Sequence, residues 1–127
     1  MEVERFDPFD GALGFSLATR VGSLVYTAGM VGIDEATGTA PDDLEAEIRL
    51  AFSNLAGVLE GVGTSFDHVL EQTNFLVGDP DVVYPVFQKV RAEFFDGRLP
   101  ASTSLFVQAL VSPAFHCEVK LVAAVPG

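Results

Sequence analysis

Two residues near the C-terminus have side chains that can move protons in a hydrolytic reaction. His116 and Glu118 lie in the run from Phe115 to Val125, which alternates in polarity and is therefore predicted to be a strand. Residues two apart share one side of a strand, so the imidazole and the carboxylate are expected to be neighbours. Such a pair can act as acid and base. The alternative is structural: His116 lines a polar interior, and Glu118 forms an ion pair with Lys120.

Two serines form a second group of candidate residues. Ser104 lies in a predicted strand, Thr103 to Leu110, and Ser102 directly precedes it; continued alternation places both on one face with Phe106 and Gln108. A serine nucleophile would need a base within hydrogen-bond reach. Because the chain has no nucleophile-elbow pattern, the serines are more simply explained as small polar groups that line a cleft.

The composition limits the classes of partner. The 127 residues fit one domain, residues 1–127, and 49% of them are hydrophobic, which is enough for a core. The net charge of −11 opposes binding to nucleic acid and to anionic membranes. One cysteine, Cys117, excludes a multi-thiolate metal site within one chain, and we expect its thiol to be buried and inert. The charged N-terminus predicts no secretion signal, so a cytoplasmic location is expected.

The chain alternates between predicted strands and two helices. Hydrophobic spacing and the Asp42 capping signal predict a first helix that ends near Gly61. Asp79-Pro80 opens a second helix that ends at Gly97. Two short strands around Val21-Gly22 come first, Val69 to Val77 is the middle strand, and two more strands follow. Each helix has one apolar stripe, so both are expected to cover one face of a single sheet, an α/β (α+β) fold.

This order resembles the Rid family, the YjgF-type proteins or reactive intermediate deaminases. The resemblance runs from about Gly14 to Val125, and its order and spacing are specific even though each motif is weak alone. The matching pieces are Val25-Tyr26-Thr27-Ala28-Gly29, Asp43-Leu44-Glu45-Ala46, Asn54-Leu55, Gly63, His68-Val69, Thr73-Asn74-Phe75, Phe94-Phe95, Leu99-Pro100-Ala101 and Glu118-Val119.

The resemblance implies a chorismate-mutase-like fold and a homotrimer whose sheets form a central barrel. It implies sites in the clefts between subunits and hydrolysis of imine or enamine intermediates to a keto acid and ammonia. It also implies that no metal or organic cofactor is needed. In such a site Glu118 would position or deprotonate the attacking water, and His116 is its expected neighbour.

The chain departs from the family pattern at the expected cleft. The family's deaminases carry, directly after Pro-Ala, an arginine that clamps the substrate carboxylate, and Ser102 stands there instead. Arg91 and Arg98 are nearby in sequence and are either substitutes or surface residues. If Ser102 points to the cleft, Thr103, Leu105 and Val107 pack under the helices. The predicted substrate-binding set is Phe15, Gly29, Met30, Gln88, Ser102, Thr103 and Ser104.

Two functions follow from this pattern. The first is a cofactor-free hydrolase that acts on an imine-like intermediate lacking the usual carboxylate anchor, with Glu118 and His116 as catalytic residues. The second is a non-catalytic trimer that binds a small molecule or a partner protein. A ribonuclease or translation inhibitor, roles attached to some members of the family, is opposed by the charge of −11.

Overall fold

A computed structural model of the chain describes residues 2–127. Within that range, seven strands form one sheet and two long helices pack on it. The strands are β1 (Glu4–Phe6), β2 (Ala18–Val21), β3 (Leu24–Thr27), β4 (Met30–Val31), β5 (Val69–Leu76), β6 (Ala101–Phe106) and β7 (Cys117–Ala124); the helices are α1 (Leu44–Gly61) and α2 (Pro80–Phe95).

The helices begin at side chains that cap free backbone amides. The cap of α1 is Asp43, whose carboxylate accepts the Ala46 amide at 2.9 Å, so the prediction of Asp42 was wrong by one residue. Asp79 caps α2 and Pro80 is its first residue, as predicted. A single 3₁₀ turn, Phe66–His68, starts at Ser65 and leads directly into β5.

The sheet order is β1-β2-β3-β7-β5-β6, and β4 also pairs with β7. All pairs are antiparallel except β5 with β6, which are parallel. Parallel neighbours need a crossover connection, and α2 provides it. The α+β fold with two helices on one sheet is thus confirmed. The strands β1 and β4 were not expected, because runs of three and two residues carry no periodic signal.

One face of the sheet is covered by the helices. Cys117, Val119 and Leu121 of β7 point to that side and lie in the main core cluster with residues of both helices. The Cys117 side chain is fully buried, as predicted, and burial raises the pKa of its thiol well above the ordinary value. Phenylalanines of both helices and of the 3₁₀ turn stack in the same core: Phe52, Phe66, Phe87, Phe94 and Phe95.

The opposite face of the sheet, which we call the open face, is not covered by any element of residues 2–127. Tyr26 of β3 and Leu105 of β6 point to it and are 48% and 44% exposed. The register also places Glu118, Phe75 and Val122 there. The described helices include none that is both long and apolar enough to span a bilayer.

Candidate functional site

Glu118 lies in a groove at the start of β7. The groove has a volume of about 490 Å³, and among residues 2–127 Glu118 is the only charged residue that lines it. Phe15 and Gly29, two of the predicted substrate-binding residues, lie in the same groove. The remaining lining residues are Ser16, Ala18, Thr19, Tyr26, Thr27, Ala28 and Val111.

The groove exists because β7 changes its partner at this point. Tyr26 of β3 pairs with Val122, but the next pair toward the start of β7 joins Met30 of β4 to Val119. The intervening residues bend away, and the hydroxyl of Thr27 accepts the otherwise unpaired Leu121 amide at 2.9 Å. The interruption leaves an opening in the sheet where the Glu118 side chain sits.

Gly29 allows the Glu118 carboxylate to lie against the backbone. A Cβ built at Gly29 would be only 2.5 Å from Glu118 Oε2, far inside van der Waals contact. Any side chain at this position would therefore displace the carboxylate. A glycine is needed at the end of the Val25-to-Gly29 motif because the Glu118 carboxylate lies close to the backbone there, and not because the backbone has a positive φ.

His116 does not pair with Glu118, so that prediction was wrong. Strand β7 begins at Cys117, and His116 lies at a bend before it, where strand alternation no longer applies. Its partner is Glu47 of α1: Glu47 Oε1 is 2.8 Å from His116 Nδ1, and Oε2 accepts the His116 backbone amide at 2.6 Å. With the carboxylate as acceptor, the imidazole proton resides on Nδ1.

Glu47 is a buried residue that was not among the predicted site residues. Its side chain is 1% exposed, whereas that of His116 is 43% exposed. A Cβ at Gly32 would overlap the backbone oxygen of Glu47, so Gly32 allows α1 to approach the β4 segment. The available signal was a charged residue within the apolar stripe of the first helix, between Leu44 and Ala51.

The predicted face of β6 was also wrong in part. Ser104 pairs in register with Asn74, which in turn pairs with the core residue Val119, so Ser102 and Ser104 point to the helix side. Thr103 is exposed and alternates with them, so it points to the open face.

Leu105 shares the open face with Thr103, and Val107 lies beyond the end of β6. None of the three therefore packs under the helices as expected. The local sequence sets the alternation, but only pairing with β5 decides which side faces the helices.

A buried amide orders the two serines. Asn74 is fully buried, and its Nδ2 donates to Ser102 Oγ at 3.1 Å and to Ser104 Oγ at 3.0 Å. Arg91 of α2 extends to the same place, with Nη1 3.5 Å from Ser102 Oγ, a long hydrogen bond. Arg98 is instead engaged elsewhere, 2.7 Å from Asp67.

The structure separates the predicted site residues into distinct places. Phe15, Gly29 and Glu118 share the groove, whereas Ser102 and Ser104 lie at the sheet edge on the helix side. Met30 pairs with Val119 and packs against the core, so it does not line the groove. Two further predicted residues, Gln88 on α2 and Thr103 on β6, are exposed outside it.

The groove can support proton transfer to and from a water molecule or an amine. Its single carboxylate is an acceptor next to a largely apolar wall, a geometry that suits a general base. Within residues 2–127, no group of three or more His, Cys, Asp or Glu side chains is arranged to hold a metal ion.

Comparison with known proteins agrees with the motifs. The model of the family described as Endoribonuclease L-PSP matches residues 8–125. The chain belongs to this family. Its members include proteins named RutC family and reactive intermediate deaminase, so the predicted Rid, or YjgF-type, assignment is confirmed.

The relatives cover most of the chain. RutC family protein YjgH of Escherichia coli is 34% identical over 113 residues, 88% of this chain and 83% of that protein. A Bos taurus protein named 2-iminobutanoate/2-iminopropanoate deaminase is 28% identical over 76% of this chain and 69% of its own length. The solved structure of a probable translation initiation inhibitor from Rhodopseudomonas palustris superimposes with a TM-score of 0.89 at 29% identity, covering 99% of this chain and 100% of that one.

Proposed function

We propose that the protein hydrolyses an imine or enamine intermediate, with Glu118 as the general base. The observation that carries this proposal is the position of Glu118 against Gly29, as the only charged residue in the described part of the chain that lines the groove. The family membership supports it, because two relatives are named as deaminases of reactive intermediates or imino acids.

The proposed reaction needs only water and one carboxylate. Glu118 takes a proton from water as the oxygen adds to the carbon of the C=N bond, and it delivers that proton to the nitrogen to give a carbinolamine. In the collapse, Glu118 takes the hydroxyl proton as C=O forms and gives it to the leaving nitrogen. The C–N bond then breaks, ammonia is released, the carboxylate is regenerated and no cofactor is consumed.

The proposed assembly is a homotrimer with its sites in clefts between subunits. The open face exposes apolar side chains, including Tyr26 and Leu105, that a second copy of the chain would cover. Strand β6 is an unpaired edge of the sheet, and Phe106 at its end is 38% exposed. The groove beside Glu118 is open to the same side, so a neighbouring subunit would complete its wall.

Ammonia release tests the proposed function. An amino acid oxidase would generate imines from amino acids that differ in their side chains. The formation of ammonia or keto acid would be followed with and without the protein. The wild type is expected to accelerate the reaction, and Glu118→Gln is expected to lose at least about 100-fold in kcat.

The matched control for this test is Glu60→Gln. Glu60 is an exposed carboxylate on α1, outside the groove and away from the open face, and its substitution should leave the rate unchanged. Equal rates for wild type and Glu118→Gln would remove Glu118 from the mechanism. If no imine is hydrolysed by the wild type, the alternative of a non-catalytic binding protein would replace the proposal.

A further inference from the structure

Glu47 and His116 form a carboxylate–imidazole pair that the chemistry of the groove does not use. Glu47 Oε1 is 2.8 Å from His116 Nδ1, and Glu47 Oε2 accepts the His116 backbone amide at 2.6 Å. One buried carboxylate thus holds both the backbone and the ring of the histidine. A neutral imidazole bound in this way carries its proton on Nδ1 and a lone pair on Nε2.

The second ring nitrogen of His116 is free to act as a base. Within residues 2–127, Nε2 makes no hydrogen bond, and it is not one of the buried polar atoms that lack a partner, so solvent reaches it. The His116 side chain is 43% exposed, whereas the carboxylate on its other edge belongs to a side chain that is 1% exposed. The basic lone pair therefore faces solvent, while the opposite edge of the ring is anchored inside the protein.

Glu47 can stabilise a positive charge on this ring, because no other cation neutralises it. In the described part of the chain, no lysine or arginine lies within 4.0 Å of the Glu47 carboxylate. When Nε2 takes up a proton, the new charge lies beside a buried carboxylate, where an ionic interaction is stronger than in water. In hydrolases that use histidine as a general base, a buried carboxylate has this same role: it orients the imidazole and stabilises the imidazolium.

The pair is separate from the groove that contains Glu118. Neither Glu47 nor His116 lines that groove. The imidazole turns toward α1, on the helix side of the sheet, whereas Glu118 points to the open face. A function of the pair is therefore independent of the chemistry proposed for Glu118.

We propose that the Glu47–His116 pair is a second hydrolytic site, which acts on small activated esters. His116 Nε2 takes a proton from water as the water oxygen adds to the carbonyl carbon, and a tetrahedral intermediate forms. When C=O forms again, the C–O bond to the leaving group breaks and the leaving oxygen takes the proton from Nε2. The products are a carboxylic acid and an alcohol, and the neutral imidazole is regenerated.

The chemistry of the pair defines the class of ester. The pair supplies a base but no hydrogen-bond donor for the oxyanion of the intermediate, so the substrate needs a good leaving group. The net charge of the chain is −11, and it favours the approach of uncharged or cationic esters over anionic ones. A nitrophenyl ester of a short carboxylic acid meets both conditions.

Hydrolysis of p-nitrophenyl acetate over several turnovers tests this proposal. The wild type is expected to release nitrophenolate at least about tenfold faster than the same concentration of N-acetylhistidine, because its base is oriented by a carboxylate. His116→Ala, which keeps the backbone bond to Glu47, should lose this advantage. Glu47→Gln, which keeps the imidazole and removes the charge beside it, should lose most of it.

The other histidine of the chain provides the matched control. His68 belongs to the 3₁₀ turn before β5 and is exposed, and among the residues that the structure describes no carboxylate lies within 4.0 Å of its ring. His68→Ala should therefore hydrolyse the ester as fast as the wild type. Equal rates for wild type and His116→Ala, or a wild-type rate equal to that of N-acetylhistidine, would overturn the proposal.

Chemical rescue separates loss of the base from damage to the fold. Added imidazole can occupy the space that His116→Ala leaves beside Glu47, so it should accelerate this variant in a saturable way and by more than it accelerates His68→Ala. An equal, linear acceleration of both variants would contradict a site at Glu47. Because the substrate is an ester, the result does not depend on whether the protein hydrolyses imines.

Discussion

The carboxylate of Glu47 binds His116 through both of its oxygens, one at the ring Nδ1 and one at the backbone amide. The contact links the first helix to a central strand of the sheet, because Glu47 belongs to α1 and His116 directly precedes β7. A buried carboxylate with two donors is stabilised, whereas one without donors is costly. This pair therefore secures the start of the strand that carries Glu118.

Replacing Glu47 is expected to destabilise the fold. Glu47→Gln keeps the shape but turns one acceptor into an amide that faces the His116 N–H donors. We expect a loss of roughly 1–3 kcal/mol in the free energy of unfolding, and a smaller loss for His116→Ala, which keeps the backbone bond. Urea unfolding would measure both. Glu60→Gln, at an exposed position of α1, is the control, and an equal effect there would contradict the role of Glu47.

Gly29→Ala is expected to lower activity more than stability. The added methyl group would meet Glu118 Oε2 at 2.5 Å, so the carboxylate must move out of the position that it holds in the groove. We expect kcat to fall at least about tenfold. Gly57→Ala is the control: it lies on the exposed side of α1 with no atom within 4 Å, and it should raise stability by about 0.5–1 kcal/mol without affecting kcat. Unchanged kinetics in Gly29→Ala would show that the position of Glu118 is unimportant.

Cys117 is expected to resist alkylation in the native protein. Burial, followed by the charges of Glu47 and Glu118, raises the pKa of its thiol, so almost no thiolate is present near pH 8. Mass spectrometry should find iodoacetamide on Cys117 only after denaturation. A thiol introduced at Val82, which is 57% exposed, serves as the reactive control. Rapid native labelling of Cys117 would contradict its burial.

Acid is expected to remove the contribution of an ion-pair network between the helices. Arg49 of α1 contacts Glu45 and Glu93, and Lys89 contacts Glu45. The hydrogen bond from Lys89, and then that from Arg49, lowers the pKa of Glu45, while Arg49 lowers the pKa of Glu93. Lowered native pKa values stabilise the fold at neutral pH, and that stabilisation is lost as pH falls through them.

The corresponding experiment compares thermal unfolding of wild type and Arg49→Ala. The difference in Tm should be small at pH 7, because these side chains are exposed, and should shrink as pH falls below about 4, where the unfolded carboxyl groups titrate. Arg5→Ala, which removes a cation outside this network, should show no such pH dependence. A constant Tm difference across the range would exclude the network as its cause.

The local sequence predicted the elements well where a strong signal existed. Asp79-Pro80 marks the start of α2, because a capping carboxylate and a proline at the first helical position act within a few residues. The strand at Ala101–Phe106 was predicted as Thr103 to Leu110, since its ends are set by pairing with β5. Alternation along one strand shows which residues share a side, but not which side faces the helices.

The sequence by itself determined the family, the two helices on one sheet, the buried thiol of Cys117 and the importance of Glu118 as a candidate. These follow from local spacing, capping and motif order. Only the tertiary structure decided that His116 pairs with Glu47, that Ser102 points to the helix side, and that Arg91 lies beside it. The first two facts depend on contacts between residues distant in sequence, and the third on packing of α2 over the sheet edge, so no local pattern could reveal them.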